Sequence, residues 1–286
     1  MILAILLVLA AAGPAQAGER QLLFYNHAWG TFGRATADAV EHSAYLKKFA
    51  DFEVRTTTGA DGKVWTGRYL RGRETYLEVF GIGDVPGKDG ELGAAGLGLS
   101  TERDGDLDTL KTKLRAAGQK PIDYLQTRDF GDGKPVPWFD SMFLVEQYDR
   151  FGAWAMEYRD EYLNDPRSKV GPARFPGDVT RERYLPDTYQ NRLMRDITLI
   201  HLAVTATDLA ATLPLLRAGG FLVVSSPGGV VASRGGTTMW LDSVPDGQTG
   251  LKRVEFSLNR AAGRHVERLG TSTLVVGPGA RAVWTF

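Results

Sequence analysis

The chain has 286 residues, 43% of them apolar, with 34 glycines and no cysteine. Lys+Arg and Asp+Glu balance at 34 each, so no net field favours nucleic acid or an anionic membrane, and no Lys/Arg run forms a phosphate-binding stripe. The missing cysteine excludes a disulfide framework, a thiol nucleophile and thiolate metal ligands, leaving a chain of this size to be held by its core.

Residues 1–17 read as a secretory signal peptide. An apolar run of 12 residues, 2–13, leads to the small-x-small site Ala15-Gln16-Ala17. It is shorter than the roughly 20 residues a membrane span needs. The expectation is therefore a bacterial periplasmic or secreted protein with no membrane attachment after cleavage. The oligomeric state is not readable from the sequence.

The first strand is Leu22-Leu23-Phe24-Tyr25-Asn26-His27-Ala28-Trp29, with a metal-competent imidazole in a run of β-formers. A helix is expected over 35–49, then strands at 52–57, 64–70 and 75–80. The last of these carries Glu78 among apolar residues. Gly59 to Gly62 is a turn signal, and the order is βαβββ. A polar, glycine-rich linker leads to a strand at 95–100, a helix at 107–117 with Leu107, Leu110 and Leu114 at helical spacing, and strands at 122–127, 138–146 and 153–158. That is βαβββ again.

Residues 163–196 hold Pro166, Pro172, Pro176 and Pro186 and read as a connector with one short helix near 188–194. A third unit opens with a strand at 197–204, has Asp208 as the cap of a helix at 209–217, and continues with strands at 221–225, 229–233 and 238–244. The fourth has strands at 251–258, 272–276 and 282–286, and no helix in 259–269. The expected domains are thus 18–162, a connector at 163–196, and a shorter 197–286.

This order resembles the vicinal oxygen chelate superfamily, the glyoxalase and extradiol dioxygenase fold, an α+β architecture of paired βαβββ modules. Four modules in two pairs, the fourth degenerate, is the implied arrangement. His201 with Asp208 seven residues on has the family's opening spacing, whereas the matching position after His27 is Arg34. More narrowly, the chain is similar to an uncharacterised family of glyoxalase-like bacterial proteins. The shared segments are Asn26-His27, Ser43 to Phe49, Trp65 to Leu70, Tyr76 to Phe80, Glu255 to Leu258 and Ala282 to Phe286.

The family draws its metal ligands from the first and last strands of each module. Carried over, this gives His27 and Glu78 from module one and Glu157 from module two, where the first-strand position falls near Gly96. His201 and Asp242 form a weaker second site in module three. One imidazole and two carboxylates suit a divalent ion such as Zn, Mn, Ni or Fe. The competing reading is a buried His hydrogen-bonded to a Glu in a cavity without metal. No organic cofactor is expected, because the glycine pairs near 228 and 235 lack a P-loop lysine.

Two functions follow from the resemblance. One is a metal-dependent lyase, isomerase or dioxygenase-like enzyme acting on a small oxygen-rich substrate, with Glu78 or Glu157 leaving the metal to act as base. The other is a non-catalytic periplasmic protein that binds a small molecule or peptide in the same cup. Arg68, Arg71 and Arg73 read either as a solvated strand face or as a clamp for an anionic ligand. Trp29, Trp65 and Trp154 are expected in the core or in the pocket wall.

Overall fold

Alternating apolar residues make each strand two-faced, and one face of every strand goes to the core. In the computed structural model, which describes residues 20–286, these strands assemble into two mixed eight-stranded sheets with few helices. The expected signal peptide lies outside the described residues.

The first sheet has the order β2-β3-β4-β1-β5-β8-β7-β6. Its strands are β1 (Phe24–Phe32), β2 (Asp51–Thr58), β3 (Val64–Arg71), β4 (Tyr76–Gly81), β5 (Ala95–Ser100), β6 (Ile122–Arg128), β7 (Val136–Phe143) and β8 (Phe151–Tyr158). The second sheet has the order β10-β11-β12-β9-β13-β16-β15-β14. It comprises β9 (Met194–Val204), β10 (Leu222–Ser226), β11 (Gly229–Arg234), β12 (Thr237–Ser243), β13 (Gly250–Ala262), β14 (His265–Leu269), β15 (Ser272–Val276) and β16 (Gly279–Thr285).

Parallel neighbours require a crossover, and helices supply it. α1 (Arg34–His42) and α2 (Leu46–Phe49) lie between β1 and its parallel partner β4. α3 (Asp106–Ala116) joins β5 to the group containing its parallel partner β8, and α6 (Ala206–Ala218) does the same for β9 and β12. The last group has no helix, so the chain cannot return for a parallel pairing. β13 and β16 are antiparallel, as are β14–β15 and β15–β16. The last group is therefore an all-antiparallel set, and β14 occupies a stretch expected to be irregular.

The missing helix is replaced from the other half of the chain. Phe49 of α2 meets Phe256 of β13 edge-on at 5.5 Å, and Tyr45 stacks on His265 of β14 at 3.9 Å. Ser43 Oγ donates to Glu267 at 2.8 Å. Ser43 also explains why the expected single helix is two. Its extended backbone ends α1, and its hydroxyl accepts the Leu46 N–H at the start of α2. One continuous hydrophobic core results, running from Leu22 to Trp284 and shared by both sheets. Each fully buried large side chain in it contributes roughly 1.5–3 kcal/mol.

Two further expectations change. Thr205, not Asp208, caps α6, its hydroxyl accepting the Asp208 N–H at 3.1 Å. The buried Asp208 carboxylate instead accepts the N–H groups of Asp149, Arg150 and Phe151, each at 2.9 Å, fastening α6 to the start of β8. The connector is ordered, with α4 (Asp160–Leu163) and α5 (Arg181–Tyr184) packed on the first sheet and Val179 and Arg181 buried. A 3-10 turn, Asp187–Asn191, replaces the helix expected near 188–194, and Met194 already belongs to β9. Among the described residues, no helix is long and apolar enough to cross a membrane.

Candidate functional site

Directly paired residues on neighbouring strands point to the same face of a sheet. In the first sheet the pairing reads Asp51–Arg71–Tyr76–His27–Gly98–Trp154–Phe143 across β2, β3, β4, β1, β5, β8 and β7. The row beside it reads Glu53–Tyr69–Glu78–Trp29–Gly96. Both rows face away from the helices. Leu77, Val79, Leu97 and Ala155, which alternate with them, enter the shared core. The sheet curls so that its edges approach, and the Ala60 N–H between β2 and β3 donates to Gln126 of β6 at 2.8 Å. The concave face becomes a cup with His27 and Glu78 inside.

His27 is held on three sides. Its ring stacks on Tyr76 at 4.3 Å and meets Trp154 edge-on at 5.2 Å. Opposite, Gly98 leaves the space it needs, since a Cβ there would stand 2.7 Å from His27 Nδ1 and 2.9 Å from Met156 Cε. His27 Nδ1 lies 2.7 Å from Asn26 Oδ1. An amide oxygen only accepts, so Nδ1 carries the proton and Nε2 presents a lone pair toward Glu78. The amide orientation follows from Asn26 Nδ2 donating to the Tyr184 hydroxyl at 2.8 Å.

His27 Nε2 and Glu78 Oε1 are 3.9 Å apart, with the residues 5% and 9% exposed. That spacing qualifies as an ion pair by distance, but burial argues for neutral groups. Burial drives the His27 pKa down to about 3. It pushes Glu78 up to about 8, against the Arg55 charge and a hydrogen bond from Tyr76. At pH 7 the pair is a neutral imidazole facing a protonated carboxyl, too far apart to bond directly. One oxygen placed between them lies within about 2.8 Å of each, so the pair is built to grip a hydroxyl, which donates to His27 Nε2 and accepts from Glu78.

Glu157 does not join them. It lies on the opposite face of β8 from Trp154 and Met156, and accepts the N–H groups of Gly105 and Leu107 at 3.0 Å and the Thr101 hydroxyl at 2.9 Å. It serves the N-terminus of α3. Burial raises its pKa against those hydrogen bonds. The register shows the physical reason. Trp154 faces Gly98 as Tyr76 faces His27, so two residues further on Met156 is the counterpart of Glu78. Aligning Glu157 with Glu78 is a slip of one residue, and in a strand one residue reverses the face.

His201 and Asp242 repeat the first arrangement in the second sheet. His201 pairs with Trp240 as His27 pairs with Tyr76, and Asp242 lies two residues beyond. The ring stacks on Trp240 at 5.0 Å, and Nε2 is 2.8 Å from Asp242 Oδ2. Where β5 has Gly98, β13 has Arg253 opposite the imidazole. This face is open, with Trp240 40% exposed. Arg68 points to the helix side and holds Glu41 and Asp84. Trp29 and Trp65 pack with Phe80 and Trp154 along the cup. Sequence reading missed Tyr69, Tyr76, Met156, Arg55 and Arg128. The period-two run Trp154, Met156, Tyr158, next to the Gly96/Gly98 alternation, carried the signal for the wall.

A divalent ion does not fit this donor set. Among the described residues no group of three or more His, Asp and Glu converges. The positions that would supply module two's ligands are Gly98 and the thioether of Met156. The His201–Asp242 pair likewise offers two donors, where a held ion needs three or more.

No curated protein matches the chain. Solved structures similar to it include a hypothetical protein from Staphylococcus aureus, at 9% identity and a TM-score of 0.54, covering 88% of this chain and 97% of that one. A Mn(II)-bound glyoxalase from Novosphingobium aromaticivorans is similar at 12% identity and a TM-score of 0.41, covering 91% and 81%. The 2,3-dioxygenase LapB from Pseudomonas sp. KL28 is similar at 13% identity and a TM-score of 0.44, covering 91% of each. These likenesses concern the fold alone. Residues 25–286 match a family of unknown function (DUF5829), and the chain belongs to that family.

Proposed function

We propose that this is an exported binding protein of the vicinal oxygen chelate type, whose first-sheet cup holds a small organic molecule without a metal ion held by the protein. Its organisation is three βαβββ modules and one helix-less module in two pairs. Export rests on the sequence of residues 1–17. The observation that carries the reading is the neutral pair at the cup's centre: a His27 lone pair and a protonated Glu78, 3.9 Å apart, walled by Tyr69, Tyr76 and Trp154. An acceptor and a donor that do not satisfy each other are left for a ligand oxygen, while the rings provide apolar contact.

The test combines a thermal-shift screen of small hydroxylated aromatic compounds with metal analysis of the purified protein. A binder should raise Tm equally with and without EDTA, and Glu78→Ala, which removes the donor, should abolish the rise. Stoichiometric divalent metal that is lost in His27→Ala, with binding lost on chelation, would overturn the proposal in favour of a metal enzyme.

A further inference from the structure

The rim of the cup carries a guanidinium that its own carboxylates do not engage. β2 and β6 are the two edge strands of the first sheet, and they bring Arg55 and Arg128 to the same mouth. Arg55 lies over the Tyr69 ring at 5.8 Å, and Tyr69 is the direct neighbour of Glu78. Arg128 lies over the Trp138 ring at 5.2 Å, and Trp138 packs on Tyr162 at 5.9 Å. Both guanidiniums are thus mounted on the aromatic wall that leads down to Glu78.

The neighbouring charges can be accounted for one by one. Arg55 holds Glu53 through two bonds of 2.9 and 2.5 Å. Arg71 holds Asp51 at 2.8 Å and Glu53 at 2.6 Å. Asp165, beside Tyr162, and Asp132 are both taken by Arg167. Each of these carboxylates is thus bonded to an arginine other than Arg128, which makes no hydrogen bond among the described residues. Burial and the Arg55 charge both push the Arg128 pKa below its usual value, which is the signature of a cation lacking its anion.

We propose that Arg128, with Arg55 beside it, takes the anionic end of the ligand, so that the cup selects small organic carboxylates over neutral molecules of the same shape. A planar carboxylate matches the guanidinium fork, and its flat body fits between the ring walls. This rests on the cup reading above. It adds the charge of the ligand and the residue that reads it.

4-Hydroxybenzoate and 4-hydroxybenzamide test it, being nearly the same shape with and without the charge, each with a hydroxyl for the His27–Glu78 pair. Titrations by tryptophan fluorescence in low salt should show the carboxylate binding tighter by about tenfold to a hundredfold, the range of one charge-assisted contact. Arg128→Gln should remove most of that preference and weaken the amide far less. Arg128→Lys should keep part of it, and matched melting curves would show that both variants fold. Equal affinities for the two probes, or a preference that survives Arg128→Gln, overturns the inference. If both probes bind equally and both weaken in Glu78→Ala, the cup stands and only the anion selectivity falls. If neither binds, both proposals fall.

Discussion

Glu78→Gln should change how stability depends on pH more than it changes stability itself. In the unfolded chain the carboxyl ionises near 4.5, and in the folded protein burial holds its proton up to about 8. A folded pKa raised above the unfolded one stabilises the protein fully below pH 4.5, and the contribution is lost as pH rises through 8. At about 1.4 kcal/mol per pH unit, the ceiling on that loss is about 5 kcal/mol. His27 works in the opposite sense. Its pKa falls from 6.5 unfolded to about 3 folded, so its contribution is present above 6.5 and lost as pH falls toward 3. Between 4.5 and 6.5 the two slopes cancel, which gives a plateau with a decline on either side. Glutamine copies the protonated carboxyl and cannot ionise, so the variant should lose the alkaline decline, and its acid decline, no longer offset, should begin near pH 6.5 instead of 4.5. Urea denaturation of both proteins at pH 5, 7 and 9 should show the variant gaining about 2–4 kcal/mol on wild type between the extremes. A difference that stays constant across the three pH values would refute the reasoning, because Glu78 would then titrate as an ordinary carboxyl.

Glu157→Ala should destabilise by about 1–3 kcal/mol in urea melts, through the lost support of the α3 N-terminus, and leave ligand affinity in the cup unchanged. Gly98→Ala should cost about 1–3 kcal/mol and weaken ligand binding, since the added methyl enters the space of the His27 ring. Asp208→Ala leaves three buried backbone N–H groups without their acceptor, and a loss of about 3 kcal/mol or more is expected in the same measurement. His201→Ala removes a half-exposed pair with Asp242 and should cost under about 1 kcal/mol, with no effect on the first-sheet cup.

Much of the strand order was legible because apolar alternation and glycine turns are local signals. The strand at 95–100 has the expected bounds, and the helix expected at 107–117 is α3, one residue earlier. The failures came where the deciding contact is distant in sequence. Ser43 breaks the first helix by bonding Glu267, which is 224 positions away. Asp208 is buried by the loop before β8, not by its own helix. In the site, His27 and Glu78 were legible as polar residues in apolar strands, and the structure brings them together. Glu157 looked equivalent because Trp-x-x-Glu and Tyr-x-Glu read alike by eye. Only the ladder register shows that they differ by a face. Arg128 gave no signal, since its meaning depends on which carboxylates are already taken at the mouth.

The two sheets place the same three positions around a central imidazole and fill them differently. In the first, a glycine opposite His27 leaves room for the ring, Tyr76 and Trp154 pack against it, and burial strips charge from both members of the pair. In the second, Arg253 stands opposite His201, the face is open, and Asp242 is close enough to hold the ring directly. The spacing between imidazole and carboxylate is 3.9 Å in one and 2.8 Å in the other. A pair that bonds itself has nothing left for a guest. A buried pair kept apart by its surroundings retains an unmet donor and acceptor, and burial makes leaving them unmet costly. The closed sheet, and not the open one, is therefore where a small molecule has most to gain by binding.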